Sequence, residues 1–113
     1  MELPKDAMLL RIFIGEADEL KGAPLYQKIV EKAREQKLAG ATVLRGPMGF
    51  GKSSHLHTAK ILRLSMDLPM VIEIVDTEEK IHGFLPHLDG MIQGGLVTLE
   101  KVQALMYRGQ RPS

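Results

Sequence analysis

No cysteine occurs among the 113 residues, so disulfide staples and thiolate metal sites are both excluded. Tryptophan is absent too, and three Phe and two Tyr, beside seven Met, leave a small aliphatic core. An excess of one charge is also missing: 15 Lys plus Arg stand against 14 Asp plus Glu, a formal net charge of +1. A nucleic-acid coat or a polybasic membrane binder is normally more lopsided. The basic residues are spread along the chain without an aromatic-interleaved patch, so no nucleic-acid partner is expected. No apolar run approaches the roughly 20 residues needed to cross a bilayer, so the chain is not expected to be membrane-embedded. Met1-Glu2-Leu3-Pro4-Lys5-Asp6 has no apolar signal region, which makes a soluble, cytoplasmic protein the expectation. There is no internal repeat, low-complexity stretch or linker.

What is present is ordinary globular material, 44% hydrophobic and 26% charged, which argues against disorder. The length suits a single domain over residues 1–113, with its core at about 8–107 and polar, loose ends. Such a domain buries roughly 65% of the surface its unfolded chain exposes, enough to fold alone with a thin margin.

Hydrophobic patterning predicts the elements. Met8 to Gly15 reads as a strand with Leu10, Ile12 and Ile14 on one face and Leu9, Arg11 and Phe13 on the other. Gly22-Ala23-Pro24 opens a helix whose stripe is Ile29, Val30, Ala33 and Leu38, with Gly40 as its stop. Ala41 to Arg45 is a second strand, Gly46 to Ser54 a loop with no regular element, and Thr58 to Leu64 is ambiguous between helix and strand. Met70 to Val75 is a third strand. Asp76 then caps a helix, with Glu79 three residues on in a capping box. Ile81, Phe84, Leu85, Leu88 and Ile92 mark that helix, which Pro86 should kink or perturb in its middle and Gly94-Gly95 should end. Leu99 to Tyr107 is the last strand.

The order β-α-β-loop-β-α-β is that of an α+β, ferredoxin-like βαββαβ sandwich: a four-stranded antiparallel sheet with two helices on one face. Its first and third strands are central neighbours. The uncovered face would carry Leu9, Phe13, Val71 and Val75, and on it Arg11 should meet Glu73. An apolar face of that extent usually meets a partner, and an ion pair persists inside it where a lone charge would not. Arg11, Phe13, Val71, Glu73 and Val75 are therefore the expected subunit interface.

Gly46-Pro47-Met48-Gly49-Phe50-Gly51-Lys52-Ser53 fits G-x-x-x-x-G-K-[ST], the pattern in which glycine-freed backbone N–H groups and a lysine cradle a phosphate. Val71 to Asp76 imitates the strand that ends in a metal-binding Asp. A P-loop ATPase, however, needs a parallel sheet of several βα units, and the chain has room for only two long helices and at most one short one. Three readings stay open: a phosphate-cradling loop on a non-hydrolase fold, a P-loop-type ATPase, and a turn with no ligand in a purely structural, self-associating protein.

Other chemistry has little support. His55 and His57 alternate near the loop, and His82 and His87 fall on the second helix, but their spacing shows no converging ligand set, so no metal is expected. Ser53 and Ser54 beside His55 are sequence neighbours, not a nucleophile and base, and no catalytic residue is assigned. Glu78, Glu79 and Glu100 read as helix-capping or surface carboxylates.

Leu10 to Glu16, Leu38 to Gly46, Met48-Gly49-Phe50-Gly51 and Leu68 to Asp76 together resemble the PII-like family of small proteins carried as a domain of unknown function, over roughly residues 8 to 107. The resemblance implies a ferredoxin-like protomer, a homotrimer, and a regulator rather than an enzyme. It also implies an adenine nucleotide or similar effector in clefts between subunits, and a mobile loop that engages a partner, often a membrane transporter or channel. On that analogy Arg45, Gly46, Gly49, Gly51 and Lys52 are the ligand-side positions, and Phe50, Ser53 and His55 belong to the partner loop. The resemblance also places a second, glycine-rich nucleotide loop between the third strand and the second helix. This sequence has acidic Asp76-Thr77-Glu78-Glu79 there, where a phosphate would be repelled unless a metal intervened.

Overall fold

The computed structural model describes residues 6–50, 57–58 and 67–109. Its elements are β1 (Asp6–Gly15), β2 (Glu19–Leu20), β3 (Ala23–Pro24), α1 (Leu25–Glu35), β4 (Thr42–Arg45), β5 (Met48–Gly49), β6 (His57–Thr58), β7 (Pro69–Asp76), α2 (Glu78–Asp89) and β8 (Leu96–Gln103). The main sheet has the order β4-β7-β1-β8 and every pairing in it is antiparallel. The ferredoxin-like α+β sandwich is therefore present, with β1 and β7 as the central pair.

Alternation along that pair builds the core. Leu10, Ile12 and Ile14 of β1 lie opposite Ile74, Ile72 and Met70 of β7, and all six are buried. Leu25, Ile29 and Ala33 of α1 and Ile81, Phe84 and Leu88 of α2 close over them. Each fully buried aliphatic side chain contributes about 1.5–3 kcal/mol of transfer free energy, so this layer holds the fold.

Several local expectations shift, each for a physical reason. α1 ends at Glu35, and Leu38 lies beyond it. The stop is a Schellman motif: Leu38 N–H donates to Ala33 O and Lys37 N–H to Arg34 O, both at 3.0 Å. The left-handed residue is Lys37 (φ 62°), not the expected Gly40. Upstream, β2 and β3 form a hairpin whose turn residues Lys21 and Gly22 both have positive φ (53° and 81°), as a type I′ turn requires. Pro24 is the residue preceding α1 rather than part of it, and the first helical N–H, Leu25, donates to Asp18 O at 2.8 Å.

Asp76 is not the cap of α2. It is the last residue of β7, completely buried, and its carboxylate accepts from Ala39 N (2.8 Å) and Thr77 N (2.6 Å). It thereby ties the α1–β4 connection to the end of the central strand. Thr77 caps the helix instead, its hydroxyl accepting from Lys80 N at 3.1 Å. α2 tolerates Pro86 in its last turns, on an exposed side where water can meet the freed carbonyl of exposed His82. It ends at Asp89 with Gly90 as its C-cap, short of Ile92 and of Gly94-Gly95.

β8 begins three residues before the expected Leu99 and ends at Gln103, not Tyr107. Gly95 permits the early start: its φ is +142°, and a Cβ there would lie 2.6 Å from Phe13 O. Beyond β8 the chain turns toward the opposite edge of the sheet, where the Tyr107 hydroxyl donates to Ala39 O at 2.6 Å.

Two stability changes follow. Lys37→Gly removes a side chain from left-handed backbone and should raise the melting temperature, by about 0.5–1 kcal/mol in free energy. Asp76→Ala strands two backbone donors at a buried site and should cost about 2–4 kcal/mol in chemical denaturation.

Candidate functional site

The register leaves two places where polar chemistry gathers. The first is the sheet face away from the helices. Leu9 lies opposite Val75, Arg11 opposite Glu73 and Phe13 opposite Val71, and all six are half-buried. Arg11 Nε donates to Glu73 Oε2 at 2.8 Å, and its Nη1 reaches Glu100 Oε1 at 3.5 Å. The expected pair is formed, and Glu100 joins it. Hydrogen bonding to Glu73, aided by the charges of Glu73 and Glu100, holds the Arg11 guanidinium above its ordinary pKa; partial desolvation opposes this. Exposed Leu44 of β4 and Leu96 of β8 stand opposite Val71 and Phe13 and widen the apolar patch.

Glu100 was legible in principle. Once β8 starts at Leu96, position 100 lies opposite Leu9 and diagonal to Arg11. The misplaced strand start hid that relation.

The second place is the end of the sheet where β1 stops and β7 begins. Arg45 ends β4 and pairs with buried Met70, so it shares the helix-covered side rather than the open face. Its Nη2 donates to Glu16 Oε2 at 2.5 Å, bridging from the edge strand across β7 to the segment after β1. That segment is pinned in turn. Gly15 N–H donates to Asp18 Oδ2 (3.0 Å), Glu16 N–H to Leu68 O (2.8 Å) and Ala17 N–H to Asp67 Oδ1 (2.8 Å).

The glycine-rich stretch leaves β4 at this same end. Gly46 N–H donates to Pro69 O at 2.7 Å, so that donor is engaged within the chain. A Cβ at Gly46 or Gly49 would lie 2.9 Å or 3.0 Å from Pro69 Cγ. Neither glycine has positive φ. Their smallness admits the Pro69 ring, a different need from opening N–H groups toward an anion.

Met48 and Gly49 form β5, a short regular element where a loop alone was expected. β5 pairs with β6, Gly49 opposite His57. Phe50 follows with 74% of its surface exposed. Gly51, Lys52, Ser53 and His55 lie outside the described residues, as does most of Thr58 to Leu64. β5 thus lies inside the G-x-x-x-x-G-K-S pattern and pairs antiparallel with β6, and no strand pairing among the described residues is parallel. The parallel sheet that a P-loop ATPase requires is not this sheet.

Asp76 to Glu79 sit at the far end of β7 from Arg45, about 20 Å away at the usual rise per strand residue. Their negative charge therefore does not face the Arg45 end. The turn that closes on Gly95 does reach it, since Leu96 lies opposite Phe13. Among the described residues, no group of three or more His, Asp or Glu side chains is arranged to hold a metal, and no helix is long and apolar enough to cross a membrane.

Residues 7–104 match the DUF190 family, described as an Uncharacterized ACR. A UPF0166 protein of Aquifex aeolicus is 43% identical over 97 residues, covering 86% of this chain and 91% of that protein. A UPF0166 protein of Methanocaldococcus jannaschii is 34% identical over 105 residues, covering 92% and 94%. Among solved structures, CPII of Thiomonas intermedia K12 is a nitrogen regulatory PII-like protein bound to ADP, AMP and bicarbonate. It superposes with a TM-score of 0.60 at 16% identity, over 88% of each chain. A protein of Thermus thermophilus described as PII-like gives a TM-score of 0.64 at 18% identity, over 92% of this chain and 93% of that one. The fold is thus shared with PII-like proteins.

A double-mutant cycle tests the steric role of the glycines. Gly46→Ala should destabilise the wild-type background by about 1–3 kcal/mol. It should cost at least about 0.5 kcal/mol less in a Pro69→Ala background, measured by chemical denaturation.

Proposed function

The chain belongs to the DUF190 family, and from that premise we propose that it is a PII-like regulator: a non-catalytic protein that binds an adenine nucleotide or related anion and signals through residues 46–58. The observation that carries this reading is the likeness over most of the chain to a protein bound to ADP and AMP. The Arg45 end of the sheet supports it, because there a guanidinium with 59% of its side chain exposed stands at the root of the glycine-rich stretch. Arg45, Gly49, Gly51 and Lys52 are the proposed ligand contacts. Gly46, with its N–H committed to Pro69, is the pivot from which the stretch leaves the sheet. A change in the populations of that stretch on binding would alter how Phe50, Ser53 and His55 meet a partner, for which our reading takes a membrane transporter or channel.

The open sheet face supports self-association, and the trimer is the assembly the resemblance implies. Half-buried Phe13, Val71 and Val75 flank the Arg11–Glu73 pair, so a second copy meets an apolar surface whose guanidinium already has its partner.

Calorimetric titration with ADP, ATP and AMP, followed by a phosphate-release assay, tests the reading. Saturable binding without turnover is expected, weakened in Arg45→Ala and Lys52→Ala. Turnover with Mg²⁺ would revive the ATPase alternative. No binding at millimolar nucleotide would leave a structural assembly. Light scattering should give a mass of three chains, and a monomer at micromolar concentration would contradict the association.

A further inference from the structure

Arg45 is an exposed cation at the root of the glycine-rich stretch, and it is already paired. Its Nη2 lies 2.5 Å from Glu16 Oε2. The two partners are held unequally. Glu16 exposes 21% of its side chain, and its backbone is clamped because three consecutive N–H groups, those of Gly15, Glu16 and Ala17, are all bonded locally. Arg45 exposes 59% of its side chain and ends an edge strand. In any exchange of partners, the arginine is the side chain free to move and the glutamate is the fixed one.

We infer that Glu16 is a built-in competitor at the site: an internal carboxylate that an anionic ligand must displace from Arg45 before it can use that guanidinium. This inference rests on the nucleotide-binding reading of Arg45. Carboxylate and phosphate take the same fork of guanidinium N–H donors, so the two states exclude each other at the Arg45 Nη2 atom. Every ligand therefore binds at its intrinsic affinity reduced by the fraction of Arg45 that is unpaired. The neighbourhood strengthens the effect, since Asp18 and Asp67 bring two further carboxylates to the clamped segment.

The exchange also has a structural output. The Arg45–Glu16 bridge fastens β4, and so the root of the glycine-rich stretch, to the segment after β1. A ligand that takes Arg45 releases this clasp while the Gly46–Pro69 hydrogen bond keeps the root in place. Linkage makes the coupling reciprocal: whatever loosens the clasp from elsewhere tightens ligand binding.

The experiment is calorimetric titration of ADP into the full chain as wild type, Glu16→Gln, Arg45→Ala and the double variant. Glu16→Gln keeps the size of the side chain and removes its charge. It should tighten ADP roughly three- to fivefold, the factor expected for a partly exposed ion pair. Arg45→Ala should weaken ADP, and Glu16→Gln should have no effect in the Arg45→Ala background. Glu16→Asp, which keeps the charge and shortens the reach, should fall between wild type and Glu16→Gln, and it carries the test if Glu16→Gln does not fold. If wild type binds ADP and neither Glu16 variant binds it more tightly, the competitor role is wrong while the nucleotide reading stands. A gain that persists undiminished in the Arg45→Ala background also overturns it, because the effect is then a general charge effect and not competition for Arg45. If no form binds ADP at millimolar concentration, the nucleotide reading fails and takes this inference with it.

Discussion

The antiparallel register of β1 on β7 is the constraint from which the other features derive. It sets Leu10, Ile12 and Ile14 against Ile74, Ile72 and Met70 under the helices, and by the same alternation sets Leu9, Arg11 and Phe13 against Val75, Glu73 and Val71 on the open face. A slip of one residue would exchange the two sets, burying Arg11 beneath α1 and α2 with no acid opposite it. The Arg11–Glu73 pair therefore acts as a registration mark. Its energetic contribution at this exposure is small, but the misaligned alternative is strongly disfavoured.

The two arginines on the sheet show how position decides what a charge can do. Arg11 is in the middle of a central strand, is shared between Glu73 and Glu100, and lies within apolar neighbours. Arg45 ends an edge strand and pairs with Glu16. Surroundings, more than bond length, separate the two: Arg11 lies among half-buried apolar neighbours, whereas Arg45 stands exposed at a strand end. The backbone N–H groups of Gly15, Glu16 and Ala17 are all bonded, so the acid of the second pair is the more firmly anchored partner.

Much of the fold was readable because both central strands alternate cleanly and both helices carry an apolar stripe. The free face and the Arg11–Glu73 pair followed from the same alternation. What escaped reading was set by tertiary context. β8 is an edge strand exposed along most of its length, so its sequence carries no clear two-residue period, and its start depends on how closely Gly95 approaches Phe13 O. Lys37 ends α1 in a left-handed conformation that composition assigns to glycine. Asp76 looks like a cap by spacing and proves to be a buried tie to Ala39. The Arg45–Glu16 bridge spans 29 positions and depends on two strand ends meeting, so no local pattern announces it. Gly46 and Gly49 invited a phosphate-loop reading because glycine is ambiguous in sequence: a missing side chain serves an approaching ring as well as an approaching ligand.

The proline wedge at position 69 has a bearing on how such a protein can diversify. Gly46 and Gly49 rest on one rigid ring, and the Gly49–His57 pairing closes the hairpin just above it. A side chain at either glycine would have to push that ring, and with it the first residue of β7, so positions 46, 49 and 69 are bound to change together or not at all.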